Sequence, residues 1–117
     1  MEVGDYVRFD YHRITVPIMI AKIIEKHLGN EDEGVFYTTD THLVIDESNL
    51  VKEPSPDIID LIEVGDYVNG YEVIKVNNTK DFTETIIQVS SKRTYCNDEI
   101  KSIVTKEQFK SMEYKIK

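Results

Sequence analysis

The segment "EVGDYV" stands twice in this chain of 117 residues, at 2–7 and again at 63–68, an offset of 61. An identical six-residue string at that spacing restricts the fold more than any other feature, because both copies must open equivalent structural units. A second correspondence closes each unit: "DESNLVKE" from Asp46 resembles "DEIKSIVTKE" from Asp98, at an offset of about 52 to 54. The first unit is then the longer by roughly eight residues, and the polar stretch "HLGNEDEG" at 27–34 is the natural place for the excess. Units spanning 1–62 and 63–117 would each bury too little surface to be stable alone, so they are expected to pack together.

Between these markers the pattern is strand-like. "GVFYTTD", "THLVIDE", "YEVIKV" and "TETIIQVSS" are short β-branched and aromatic runs separated by Gly, Asn, Asp and Thr. In the last, Thr85, Ile87 and Val89 alternate with Glu84, Ile86 and Gln88, the period of a half-buried strand. Residues 14–28, "ITVPIMIAKIIEKHL", read either way. A long strand with Pro17 at an edge and a bulge near Ala21 is favoured, whereas Ile20, Ile23, Ile24 and Leu28 would make a helix face. Each unit is expected to end in a short helix. "SPDIIDLI" offers Ser55 as N-cap and Pro56 at the first helical position, and "TKEQFKSM" offers Thr105 and Gln108 as a capping box.

In "VGDYV" the glycines, Gly4 and Gly65, suit a turn with positive φ, the aspartates Asp5 and Asp66 can accept from nearby backbone amides, and Tyr-Val starts a strand. A Gly-Asp-x-Val turn ahead of several short strands and a terminal single-turn helix resembles small SH3-like barrels. The expected fold class is therefore mainly β with short helices, two small SH3-like β-barrels in tandem, each followed by a short helix.

Charge divides at the repeat boundary. Residues 1–62 hold 13 Asp and Glu against 5 Lys and Arg, while residues 63–117 hold 9 of each, so the whole net charge of −8 lies in the first unit. An acidic surface argues against nucleic acid as direct ligand, since phosphate contacts need a basic footprint. A single cysteine, Cys96, excludes an internal disulfide and suits a reducing compartment. There is no apolar run of membrane-spanning length, and the protein is expected in the cytoplasm.

Catalytic signatures are missing from the string. No phosphate loop, dinucleotide fingerprint or nucleophile elbow occurs, and no cofactor is implied. His12, His27 and His42 lack the spacing of a helical metal site, and "NEDEG" fails the register of a calcium loop, so no metal is expected. Asp5 and Asp66 read as turn residues rather than as an acid and base pair. Tyr6 and Tyr67 should be half buried at equivalent places; Tyr11, Phe36, Tyr37 and Tyr95 are less constrained, with core packing favoured over contact with a partner for any one of them.

The segment "DIIDLIEVGDYVNGYEVIKV", with "EIKSIVTKEQF" further on, is similar to a module of small proteins encoded by phages and prophages of Gram-positive bacteria, over roughly residues 53–114. That resemblance implies a host-cell cytoplasmic, non-catalytic protein that binds and disables a host defence nuclease, as anti-CRISPR proteins do. Added to the charge division, it places the partner-binding residues at Glu31, Asp32, Glu33, Asp46, Glu47 and Tyr37, competing for a basic surface that otherwise holds nucleic acid. The alternative is a small nucleic-acid-binding β-barrel that uses Lys92, Arg93, Lys101, Lys106 and Lys110 with Tyr95 and Phe109.

Overall fold

The computed structural model describes residues 1–13, 16–29, 34–77 and 85–112. The fold is mainly β, with curled antiparallel sheets and short helices. In the first half, β1 (Tyr6–Phe9), β2 (Met19–Leu28), β3 (Val35–Thr39) and β4 (Val44–Ile45) form a four-stranded meander, followed by a 3-10 turn, Glu47–Asn49. In the second, β5 (Tyr67–Val68), β6 (Tyr71–Asn77), β7 (Ile86–Val89) and β8 (Thr94–Tyr95) repeat the meander. A 3-10 turn Asn97–Glu99 follows, then β9 (Ile103–Val104), which pairs with β5, and α1 (Lys106–Met112).

The two meanders share one register. Ile23 faces Thr39 as Val73 faces Val89, Tyr37 faces Ile45 as Ile87 faces Tyr95, and every such pair is offset by 50. The 3-10 turns obey the same offset, so Asp46 corresponds to Cys96 and not to Asp98. The "EVGDYV" copies keep their offset of 61: the Gly4 amide donates to the Ile23 carbonyl at 2.8 Å as that of Gly65 donates to Val73 at 2.9 Å. Unit one therefore has eleven more residues between Val7 and Ile23 than unit two has between Val68 and Val73. The connection there runs over residues 10–18, whereas Asn69 and Gly70 alone join β5 to β6. The acidic segment after His27 is not an insertion. Most of the length excess, seven residues, sits in the β1–β2 connection, and the rest lengthens β1 and the start of β2.

Asn69 and Gly70 carry φ of 52° and 88°, the left-handed pair that a two-residue hairpin turn needs and that Asn-Gly supplies at little strain. Residues 19–28 are a strand, so the period of two prevails over the helical spacing. Its register shift lies between Ile23 and Glu25, not at Ala21, and a matching shift lies between Val73 and Lys75. Pro17 precedes the strand, where its missing N–H costs the ladder nothing.

Each meander has its own core. Val7, Phe9, Ala21, Ile23, Tyr37 and Ile45 fill the first; Val68, Val73, Ile87, Val89 and Tyr95 fill the second together with Ile59 and Ile62 of the linker. The linker forms one 3-10 turn, Ile58–Leu61, with Asp57 at its N-cap. Ser55 does not cap it; the Ser55 Oγ accepts from the Asp57 amide and donates to Asp60, while the Ser55 backbone bridges Tyr6 of β1. At the other end the expected capping box is present. The Thr105 amide donates to Gln108 Oε1 at 2.9 Å and the Gln108 amide to Thr105 Oγ1 at 3.0 Å.

Candidate functional site

Strand β1 alternates Val7 and Phe9 into the first core, which by pleat turns Arg8 to the opposite face. The second half covers that face, leaving Arg8 1% exposed and Asp66 0%. The Arg8 guanidinium donates from Nη1 to Asp66 Oδ2 at 2.5 Å and from Nη2 to Oδ1 at 3.0 Å, with further contacts to Glu107 at 2.9 Å and the Leu61 carbonyl at 3.2 Å. Asp66 also does what its turn requires, accepting the amides of Glu63 at 2.7 Å and Lys106 at 2.9 Å. Glu63 lies 3.6 Å from Arg8 Nε, 2.8 Å from Lys106 Nζ and 3.9 Å from Lys52 Nζ.

Burial by itself would lower the Arg8 pKa; the Asp66 hydrogen bonds and the charges of Asp66, Glu63 and Glu107 outweigh it and raise it. Likewise burial pushes the Glu63 carboxyl up, yet the hydrogen bond from Lys106 and attraction to Arg8, Lys106 and Lys52 hold it below its ordinary value. Three cations and three carboxylates make a neutral cluster whose buried groups are mutually satisfied. Its chemistry is that of a joint between the halves, with no poised acid or nucleophile.

This joint sharpens the division of charge. With Arg8 and Lys52 engaged against carboxylates of the second half, the remainder of residues 1–62 has three bases for 13 acids. Glu25, Asp40, Glu47, Glu53, Asp57 and Asp60 are exposed.

Of the sequence-predicted contacts, Glu31, Asp32 and Glu33 lie outside the described residues. Asp46 and Glu47 stand together where β4 enters its 3-10 turn. There Asp46 Oδ1 accepts from the Ser48 amide at 2.8 Å and from the Ser48 hydroxyl, while the Asp46 amide donates to Asn49 Oδ1 at 3.0 Å. This capping box fixes the Asp46 carboxylate. Beside it runs an open groove of about 390 Å³ lined by Gly34, Val35, Phe36, Asp46, Glu47 and Ser48. Tyr37, next along β3, points the other way and is 3% exposed in the first core, so it offers no contact to a partner. Phe36 is the half-buried aromatic at the groove, and Leu28, paired with Val35 across the hairpin, is 78% exposed.

The nucleic-acid set fares differently. Tyr95 is 7% exposed and belongs to the second core, Lys106 is tied to Glu63, and the Phe109 ring stacks on Tyr67 at 4.2 Å. Lys92, Arg93 and Lys101 remain exposed. The histidines lie on separate segments, with His27 Nε2 2.9 Å from Thr38 Oγ1, and Cys96 donates to Glu99 at 3.2 Å. No group of three His, Cys, Asp or Glu among the described residues is arranged to hold a metal ion. Nor is any described helix long and apolar enough to cross a membrane.

Sequence reasoning missed Arg8. A cation between two core residues of a strand reads as the solvated side of an alternating pattern, and the partner that buries it lies 58 residues away. Comparison with known proteins found no matching family model, no matching curated protein and no matching solved structure.

Proposed function

We propose that this protein is a non-catalytic binding protein whose acidic first unit docks on a basic protein surface and excludes nucleic acid from it. One observation carries the reading: the neutral Arg8 joint engages two of the first unit's five bases and leaves its outer surface strongly negative. A field of one sign speeds encounter with an opposite surface and competes with the phosphates that surface would hold. Each unit is read as a small SH3-like barrel, a scaffold that presents loops and strand ends rather than a deep pocket. The resemblance to phage and prophage modules supports a host defence nuclease as the target, met in the host cytoplasm.

The test is capture of partners from a bacterial host extract, then a gel-shift assay on the purified partner with its own nucleic acid. The expected outcome is displacement of the nucleic acid by this protein, weakening as salt rises. A ternary complex in which partner, protein and nucleic acid coexist would overturn the competition. Direct binding of RNA or DNA by the protein alone would favour instead the second unit's Lys92, Arg93 and Lys101.

A further inference from the structure

The second unit already has a segment bound on the surface that corresponds to the acidic groove. At the shared offset of 50, Val35, Phe36, Asp46, Glu47 and Ser48 match Thr85, Ile86, Cys96, Asn97 and Asp98. The linker lies against part of that second surface, at Thr85 and Asn97, while Ile86 stays 39% exposed. The Ile59 amide donates to Asn97 Oδ1 at 3.1 Å, Asn97 Nδ2 donates to Asp57 Oδ1 at 3.4 Å, and Thr85 Oγ1 donates to Asp60 Oδ1 at 3.4 Å. Ile59 and Ile62 of the same segment complete the second core. In the first unit Met1, at the place of Ile62, packs against the core, and the rest of the corresponding groove is open, with Val35 36% exposed.

We infer that this groove takes a short apolar segment of a partner protein, bound as the linker is bound in the second unit but with lysine or arginine in place of Asp57 and Asp60. The charge of the lining selects that occupant. Position 97 is a neutral amide that meets Asp57, whereas position 47 is a carboxylate that would repel it and attract a cation. Where Thr85 meets Asp60, the first unit has Val35, against which the methylene stem of a lysine packs while its head reaches Asp46 and Glu47. Both ionisable residues among the described lining of the groove are acids, and the Asp46 capping box orients one of them before any partner arrives. The inference rests on the first unit being a protein-binding unit and names the segment it recognises.

The probe is a blocked hexapeptide Lys-Ile-Ile-Lys-Leu-Ile, which is the linker sequence of residues 57–62 with both aspartates replaced, titrated into the full chain and followed by amide chemical shifts. Saturable shifts at Val35, Phe36, Glu47 and Ser48 are expected, with at least tenfold weaker binding of Asp-Ile-Ile-Asp-Leu-Ile. Glu47→Lys, an exposed substitution whose fold is checked by its unperturbed spectrum elsewhere, should reverse that preference. Shifts confined to other surfaces, equal affinity for the two peptides, or indifference to Glu47→Lys would overturn the inference. So would sedimentation showing that the groove is covered by a second copy of the chain. Peptide binding without nucleic-acid displacement would leave the groove standing and remove the competition; the converse would remove the groove alone.

Discussion

Arg8 shows how one residue's role can be set by a distant part of the chain. Its pairing with Asp66 is bidentate and almost completely dry, so Arg8→Ala leaves a carboxylate buried without its cation. That substitution is expected to cost about 3–5 kcal/mol in a urea unfolding experiment. Arg8→Lys should recover only part of the loss, since one ammonium does not span Asp66 and Glu107 as a guanidinium does. A cost below about 1 kcal/mol for Arg8→Ala would place the cation in water and contradict the joint. The Asp66 turn role was legible from "VGD" because it is local: the Glu63 amide is three residues away. Its second role was not, because Arg8 and Asp66 belong to different copies of a repeat and carry no mutual pattern. Cys96 gives a separate check at this scale. The hydrogen bond to Glu99, followed by burial, raises the thiol pKa, so alkylation near neutral pH should be slower than for a free cysteine, and Glu99→Gln should speed it.

Among the elements, strands and the C-terminal capping box were read correctly because their signals, a period of two and Thr-x-x-Gln, act over a few residues. The alignment of the two units was misread for a physical reason. Literal identity drew Asp46 to Asp98, but a cap position accepts any side chain that satisfies the turn. In the second unit the turn is closed by the Glu99 carboxylate accepting the Cys96 amide at 3.1 Å. Shifting the match by two residues hid the true place of the extra length. The signal that could have found it is "VNGY", a two-residue hairpin turn with no counterpart after Arg8. The turns that follow β3 and β7 are equivalent as well, with His42 at φ 68° and Lys92 at φ 69°, each amide donating three residues back. Left-handed backbone is costly for a residue with a Cβ. Lys92→Gly should therefore stabilise by roughly 0.5–1 kcal/mol. Gly65→Ala should destabilise, because φ there is 99° and a Cβ would meet the Lys106 side chain at 3.3 Å. Thermal melts of both variants check the pair of signs.

At the scale of the molecule, the halves are joined by an ionic cluster, by the linker isoleucines in the second core, and by the Thr105 hydroxyl donating to the Ile18 carbonyl at 2.6 Å. Glu63 makes the joint sensitive to acid. Its folded pKa is held below the ordinary value of 4.5, so its contribution to stability is fully present above that value and is lost as pH falls through the lowered one. Unfolding free energy should decline on acidification in that window, and Glu63→Gln should flatten the decline. A steeper fall in the variant would reverse the sign assigned here. The division of charge between the units was legible by counting alone. What counting could not reveal was that Arg8 and Lys52 face the second unit and leave the first more acidic at its surface than its sequence suggests.

The role of the acidic first unit is tested most directly by the affinity of the captured partner, across a salt series, for the wild-type chain and for two charge-reversed sets. One set replaces exposed acids of the first unit, Glu25, Glu47 and Glu53, by lysine; the other replaces Lys75, Lys92 and Lys101 of the second by glutamate. The first set should abolish tight binding and most of its salt dependence, while the second should leave both within a few-fold of wild type. Loss of binding in the second set with retention in the first would contradict that role.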